Sequence, residues 1–354
     1  MPEPTTRHFR PYLRPPEIES LSARQRGKLS VAREERLRQQ ACTFIEQVGV
    51  RCGLRTIASA QTLYMRFHLF FPYAEFQFVD VALTTLYVSS KLHDTLKKPR
   101  DIIIASYGIR FPQLVRKGST AVDVSNVDSN VLEHERKRVL GIERLALETI
   151  CFNFGVQVPF EMVIKLGREL ALPKDVIQQA WRVAVDAHRT PAPLSYPPHI
   201  VALGALYTSA LLSSESTAPH DNPDPLVAKL GSPGPWEDEY AAAADAVDDV
   251  AHSLLDLYIT IVSIPPNDPS LQLFSPSPAS PRENPRSGRP SPAPGNAPTV
   301  TAFKLPPFWT SQSLTELKIH LRDRNPGVMW PAEEDTELPE GMGRNDGTVR
   351  FMWD

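Results

Sequence analysis

Cysteine is scarce in this chain: only Cys42, Cys52 and Cys151 occur in 354 residues. Three thiols cannot build a disulfide framework, and none of them lies in a Cys-x-x-Cys pair. The sequence therefore predicts neither a disulfide scaffold nor a zinc site. Such sparse cysteine usage is typical of a protein that works in a reducing, intracellular environment.

Long hydrophobic segments and a strong charge excess are also missing. No run of about 18 apolar residues occurs, so we expect no membrane-spanning helix. The first residues, MPEPTTRHFRPYLRPPE, contain no apolar segment of the kind that a secretory signal needs. The formal net charge is −3 at pH 7, whereas non-specific nucleic-acid binding usually requires an excess of positive charge.

Catalytic signatures are absent from the sequence as well. It contains no GxxxxGK[S/T], GxGxxG, HExxH or GxSxG motif. Its nine histidines are scattered, and neither His68 nor His93 has a partner at the spacing that would build a metal site on a helix. We therefore expect no catalytic residue, no metal and no cofactor. A binding module fits this pattern better than a helical enzyme does.

Proline, by contrast, is abundant but unevenly spread. Of the 35 prolines, residues 265–298 hold 11, residues 1–30 hold 5, and residues 31–264 hold only 14. Proline removes a backbone donor and clashes with the preceding helical turn. We therefore expect the folded part within 31–264, a flexible arm over 1–30, and a disordered linker and aromatic tail over 265–354.

Within the low-proline region the apolar residues recur at helical spacing, and no alternating strand pattern is longer than four residues. We predict an all-α protein. Asn130 and Glu133 form a capping-box-like start for one helix, and residues 111–128 have the composition of a loop. The predicted helices cover residues 31–50, 57–71, 74–92, 99–106, 130–152, 160–170, 174–188, 198–213 and 240–262.

A short internal repeat divides this region into two. VALTTLYVSS over Val81–Ser90 and VALGALYTSA over Val201–Ala210 are identical at six of ten positions. Each segment is the third helix of its set, which favours two copies of one helical domain. Chance similarity between two Ala- and Leu-rich helices is the alternative. The boundary falls near residue 155, so the predicted domains are 31–155 and 156–264.

Two charged residues stand out by position. Glu143 lies on an apolar helical stripe, where a carboxylate is costly to bury unless it is paired, and Lys91 lies near the end of the helix predicted over 74–92. On a structural interpretation, the lysine complements the helix dipole and the glutamate lies at a rim. On a functional interpretation, both project at the edge of an apolar groove and bind a partner. The repeat has Leu211 in place of Lys91, so the lysine belongs to the first domain alone.

Isolated aromatic residues and Ser-Pro pairs mark the C-terminal part of the chain. A short amphipathic helix is predicted over 313–321. We interpret the aromatic residues as short docking motifs, with packing back onto the core as the alternative. The Ser-Pro pairs are candidate phosphorylation sites, or else belong to a plain linker. The residues concerned are Phe303, Phe308, Trp309, Trp330, Phe351, Met352 and Trp353, and Ser275, Ser277, Ser280 and Ser291.

Several segments carry a family resemblance. RQQACTFIEQVGVRCGLRTIASAQTLYMRFHLFF, VALTTLYVSSKLHDTLKKPRDII and RVLGIERLALETICFNF resemble the first box of the cyclins. SYPPHIVALGALYTSALL and Pro235-Trp236-Glu237 resemble the second box. The RQQA start and the YPPHIVAL run are similar to transcriptional cyclins of types K, L and T. Among those, the similarity is greatest to the β subunits of fungal kinases for the RNA polymerase II C-terminal domain (CTD).

The resemblance implies tandem cyclin boxes of five helices each, in a nuclear regulatory subunit without catalytic residues. Its expected partner is a cyclin-dependent kinase that phosphorylates the RNA polymerase II CTD in transcription elongation, and a third subunit is left open. No direct contact with nucleic acid or membrane is expected. The family's kinase-binding lysine and glutamate fall on Lys91 and Glu143, and its apolar contacts to the kinase αC helix fall on Leu92, Leu147 and Phe152.

The chain departs from the family pattern in places. His93 and Asp94 stand where an acidic pair commonly follows the lysine, and Met65 replaces an aspartate of the cell-cycle cyclins. The first helix lacks their hydrophobic substrate-docking motif, so recruitment of RxL-bearing substrates is not expected. The alternative function is a general transcription factor of the same fold that binds DNA. It would require a zinc ribbon and a basic face, and the sequence shows neither.

Overall fold

The prediction of an all-α protein is confirmed. In a computed structural model of the chain, the described part contains fourteen α-helices and no β-strand, although one isolated antiparallel bridge joins Val115 and Val122. None of the helices in this part is long and apolar enough to cross a membrane. The structure describes residues 10–116, 122–155, 157–214, 224–263 and 309–324.

Six helices form the first bundle around an apolar core. α4 is its central helix and packs against α2, α3, α5 and α6. Its side chains from Asp80 to Ser90 are buried except for Tyr87, because small and apolar residues cover nearly the whole circumference of the helix. The six helices are α1 Pro15–Arg26, α2 Val31–Arg51, α3 Ile57–Phe70, α4 Phe78–Leu92, α5 Pro99–Arg110 and α6 Ser129–Thr149.

Eight further helices surround the second core, with α10 at the centre. The two repeat segments thus lie on the two central helices, as expected of two copies. Thr84 of the first copy corresponds to Gly204 of the second, where an added Cβ would lie 2.4 Å from Cγ1 of Val250 on α13. The helices are α7 Phe160–Glu169, α8 Lys174–Ala187, α9 Ala192–Ser195, α10 Pro198–Ser214, α11 Pro225–Leu230, α12 Trp236–Tyr240, α13 Ala244–Ser263 and α14 Ser311–Arg324.

The N-terminal segment is folded where the structure describes it. The prediction of a flexible arm over 1–30 was wrong for residues 10–30, because α1 lies there and three apolar side chains of this segment are buried in the first core. Pro15 and Pro16 do not prevent the helix, since proline is tolerated in a first helical turn. The three buried side chains are Leu13, Ile18 and Leu21.

The predicted C-terminal helix is present as α14 and packs against α13. The Trp309 ring lies 6.0 Å from the Tyr258 ring, and three leucines of α14 are buried in the second core. Predictions of disorder and of a docking motif were therefore wrong for residues 309–324, and packing back onto the core is correct there. The other aromatic residues of the tail and the Ser-Pro pairs lie outside the described residues. The three leucines are Leu314, Leu317 and Leu321.

The two helix sets contact each other through hydrogen bonds near α9. The Leu13 amide donates to the Leu194 carbonyl at 2.9 Å, and Thr62 Oγ1 lies 2.9 Å from His188 Nδ1. The domain boundary was predicted in the connection between α6 and α7. This connection begins beside the contact of the two helix sets, because Ile150 lines the same cleft as Thr62 and His188.

Helix ends differ from the prediction in ways that matter for the site. α6 is capped by Asp128, whose side chain accepts a hydrogen bond from the Asn130 amide at 2.8 Å, so Asn130 is not the cap. α6 also ends at Thr149 rather than near residue 152. The short helices α9, α11 and α12 were not predicted.

Candidate functional site

Lys91 and Glu143 form an ion pair, although they lie 52 positions apart in the chain. Lys91 Nζ is 2.5 Å from Glu143 Oε1. Lys91 lies in the last turn of α4, which ends because Asp94 adopts a left-handed conformation with φ of 51°. The Thr95 amide then donates to the Ser90 carbonyl at 2.9 Å. The structure therefore brings together the two charged residues that the sequence singled out.

The surroundings of Lys91 keep its ammonium group charged. Burial by itself lowers the pKa of Lys91, but the hydrogen bonds to Glu143 and Tyr87 outweigh it and raise the pKa above the ordinary value. The ammonium also lies 4.3 Å from the centre of the Tyr87 ring, a favourable cation–π distance. The Lys91 side chain is 41% exposed and that of Glu143 is 15% exposed, so a partner could reach both.

Apolar side chains lie beside the ion pair. Leu92 follows Lys91 directly, and Leu147 lies one turn beyond Glu143 on α6. Both leucines are half-buried against the first core. Phe152 is 36% exposed. We name the surface formed by Lys91, Leu92, Glu143, Leu147 and Phe152 the α4–α6 face.

An unusual turn holds the backbone of Phe152 against the last turn of α6. Cys151 and Phe152 have φ values of 48° and 55°, a conformation that non-glycine residues adopt rarely. The Cys151 amide donates to the Glu148 carbonyl at 3.0 Å, and the Phe152 amide donates to the Leu147 carbonyl at 3.0 Å. The chain therefore folds back along the last turn of α6 instead of continuing the helix as predicted.

The chemistry of the α4–α6 face suits recognition of polar groups beside an apolar surface. An ammonium carries three donors, and a carboxylate offers about four acceptor positions. One ion pair leaves most of this capacity available, so Lys91 can donate to a partner's carbonyl and Glu143 can accept from a partner's amide. At the position equivalent to Lys91, the second copy has Leu211, which is 5% exposed and belongs to the second core.

Three residues close in the chain to members of this face were not singled out from the sequence. Tyr87 precedes Lys91 by one helical turn, and that spacing is a signal that could have identified it. Leu96 and Phe154 are 72% and 56% exposed, but exposure of a loop side chain has no signature in the sequence. Within the described ranges, no group of three or more His, Cys, Asp or Glu residues is placed to hold a metal ion.

Comparison with known proteins gives a consistent set of relatives. No protein-family profile matches the chain. CTD kinase subunit beta of Schizosaccharomyces pombe is 33% identical over 229 residues, which cover 64% of this chain and 62% of that protein. Cyclin-T1-1 of Oryza sativa is 33% identical over 56% of this chain and 44% of its own length. Cyclin-K of Danio rerio is 26% identical over 69% of this chain and 55% of its own length.

A solved structure shares the fold. A chain of the yeast RNA polymerase II CTD kinase CTDK-1 complex matches with a TM-score of 0.61 and 20% identity, covering 92% of each chain. The chain spans less than two thirds of the length of the curated relatives named above. Together these similarities confirm the predicted resemblance to transcriptional cyclins and the all-helical cyclin fold.

Proposed function

We propose that this protein is the regulatory, non-catalytic subunit of a kinase complex that phosphorylates the RNA polymerase II CTD. Its partner is a cyclin-dependent kinase, which binds to the α4–α6 face. The observation that carries the proposal is the Lys91–Glu143 ion pair at the edge of an apolar surface, on a fold shared with a chain of a CTD kinase complex. A nuclear location follows from the proposed substrate.

The proposed mechanism is a shift in the kinase's conformational equilibrium. A protein kinase is active when its αC helix is placed so that a lysine–glutamate pair forms in the catalytic site. A subunit that binds this state more tightly than the inactive state increases its population. Leu92, Leu147 and Phe152 would pack on the αC helix, while Lys91 and Glu143 bind the polar segment that leads into it.

Alanine variants and a charge-swap variant of the ion pair test this assignment. We expect Lys91→Ala and Glu143→Ala each to weaken kinase binding by about 2 kcal/mol, roughly thirtyfold in Kd, because each leaves the remaining charge without its partner in the interface. The double variant Lys91→Glu/Glu143→Lys restores an internal pair in reverse orientation. If the pair acts on the kinase, the swap does not rescue binding. The measurements are Kd by calorimetry and phosphorylation of a CTD peptide by the purified complex.

The chain offers a matched control for these variants. Lys229 is also 41% exposed and lies 4.0 Å from Glu239, and its ammonium is 5.4 Å from the centre of the Tyr240 ring. It belongs to the second helix set, so Lys229→Ala should leave kinase binding unchanged. Rescue by the charge swap, or wild-type affinity for Lys91→Ala and Glu143→Ala, would refute the assignment of the face.

The identity of the kinase and of any third subunit requires a separate experiment. Affinity purification of the full chain, followed by mass spectrometry, should recover a cyclin-dependent kinase in an amount equal to that of the chain itself. Recovery from the Lys91→Glu variant should be strongly reduced, whereas recovery from Lys229→Ala should not. A fluorescent fusion of the same chain then tests the nuclear location.

A further inference from the structure

Arg66 on α3 is a buried arginine that donates hydrogen bonds to three main-chain carbonyls of distant segments. The residue is 6% exposed. Its Nε donates to the Thr149 carbonyl at 2.8 Å, Nη1 donates to the Pro11 carbonyl at 2.9 Å, and Nη2 donates to the Arg10 carbonyl at 3.1 Å. One guanidinium therefore joins the N-terminal segment, α3 and the end of α6.

The segment that Arg66 holds from the N-terminal side is itself anchored at both ends. Arg10 pairs with the buried Glu17 through two hydrogen bonds of 3.0 Å. The Leu13 amide donates to the Leu194 carbonyl of the second helix set at 2.9 Å. Hydrogen bonds thus hold residues 10–17 in place beside Arg66. The guanidinium therefore has a defined position relative to both helix sets.

On its other side, Arg66 holds the last residue of α6. Thr149 is followed directly by the turn that carries Cys151 and Phe152 in left-handed conformations. Such backbone persists only where its surroundings enforce it. The three amides of this turn, those of Cys151, Phe152 and Asn153, donate to carbonyls of Glu148, Leu147 and Ile150 at 2.9–3.0 Å. A fixed Thr149 carbonyl fixes where this turn starts.

We infer that Arg66 is a positioning residue for the α4–α6 face, which holds the turn after α6 so that Phe152 points to the partner surface. This inference rests on the proposed function of that face. Arginine suits the task because its planar fork presents several donors in fixed directions, whereas lysine is a point charge on a flexible stem. Removing the guanidinium leaves three carbonyls without these donors, of which the Thr149 carbonyl is buried, and the turn without its anchor.

Hydrogen exchange of the free protein tests the positioning without any kinase. In Arg66→Met we expect the amides of residues 151–153 to exchange about tenfold faster, while amides of α10 keep their protection. The matched control is Arg110→Met. Arg110 is another largely buried arginine, and it binds Glu135 in the first half of α6 through bonds of 2.9 and 3.0 Å. Its loss should leave residues 151–153 protected.

Kinase affinity tests the consequence for the face. We expect Arg66→Met to weaken binding about tenfold in the wild-type background, but by only about twofold in a Phe152→Ala background, because both substitutions then remove the same contact. Arg110→Met should have equal effects in both backgrounds. A purely structural role of Arg66 would also give equal effects in both backgrounds, and that result overturns the inference.

The two measurements separate the failure of this inference from the failure of the proposed function. Unchanged protection of residues 151–153 in Arg66→Met overturns the positioning role, whatever the kinase does. Faster exchange together with wild-type kinase affinity of Phe152→Ala overturns the role of the face in kinase binding instead. Should Arg66→Met not fold, Arg66→Lys retains the charge but not the fork, and the same outcomes apply.

Discussion

His188, at the contact between the two helix sets, links folding to pH. Its imidazole is 3% exposed, and burial lowers the pKa of His188 to about 4. An unfolded histidine has a pKa of about 6.5. Between about pH 6.5 and about 4, His188 binds a proton in the unfolded chain but stays neutral in the folded protein. The free energy of unfolding therefore falls as the pH decreases from about 6.5 to about 4. Above about 6.5 the contribution of His188 is complete.

We expect His188→Asn to make stability less dependent on pH in this range. The slope of the unfolding free energy against pH should decrease by up to about 1.4 kcal/mol per pH unit, the value for one proton. Denaturant unfolding at several pH values between 4 and 7 measures the slope, with the exposed His134→Asn as the control for loss of a histidine. An unchanged slope in His188→Asn would contradict the prediction.

Asp186 nearby shifts the pH dependence of stability in the opposite direction. Burial raises the pKa of Asp186 to about 6, while a hydrogen bond from Tyr258 acts to lower it. A raised carboxyl pKa favours the folded state at low pH, and this contribution is lost as the pH rises through about 6. Comparing variant with wild type cancels the Asp186 contribution, because both proteins contain it.

Which single residues could be identified from the sequence depends on what they contact. Lys91 and Glu143 were identifiable because each places a charge beside an apolar stripe, and the unmatched Leu211 of the repeat marked the lysine as special. Arg66 was not identifiable, because the acceptors of its three long-range hydrogen bonds are main-chain carbonyls. Every residue has a carbonyl, so such a partner leaves no pattern in the sequence.

At the scale of helices, two ends have an alanine where their backbone favours glycine. Ala171 follows α7 with φ of 52°, and Ala241 follows α12 with φ of 48°. Both are exposed. At Ala171 the Leu172 amide donates to the Gly167 carbonyl at 2.9 Å, which is a helix-ending arrangement that usually contains glycine. The Cβ of alanine is unfavourable in the left-handed conformation.

We expect Ala171→Gly to stabilise the protein by about 0.5–1 kcal/mol, because relief of the left-handed strain exceeds the added entropy of the unfolded chain. Ala228→Gly, at an exposed position inside α11, should instead destabilise by about 1 kcal/mol. Denaturant unfolding of both variants provides the comparison. Destabilisation by Ala171→Gly would show that the gain from the backbone is smaller than the entropy cost.

The predictability of helices followed their length. α2, α3, α4 and α10 contain several turns, so their apolar periodicity placed them within a few residues of the observed bounds. α9, α11 and α12 have 4, 6 and 5 residues, too few for a repeating pattern. α6 was extended too far because Ile150 and Phe152 continue its apolar spacing, while the left-handed turn that ends it involves no glycine.

At the scale of the whole molecule, α14 returns from beyond the proline-rich stretch to complete the second core. Lys318 pairs with Asp256 of α13, and Ser311 Oγ lies 3.1 Å from Ser263 Oγ. The proline count set the proline-rich stretch apart from the helical part but could not show that a later segment packs on that part. The apolar spacing of α14 predicted a helix but not its position in the fold, because the surface on which its three leucines pack belongs to another part of the chain.

We expect Leu321→Ala to destabilise the second helix set by about 2–5 kcal/mol, the usual cost of a cavity left by a fully buried leucine. Leu321 is 0% exposed, whereas Ile319 of the same helix is 43% exposed, so Ile319→Ala is the control and should cost well under 1 kcal/mol. Hydrogen exchange should accelerate in α10 and α13 of Leu321→Ala but not in α4 and α6. Equal losses for the two variants, or acceleration in α4, would mean that α14 does not belong to the second core.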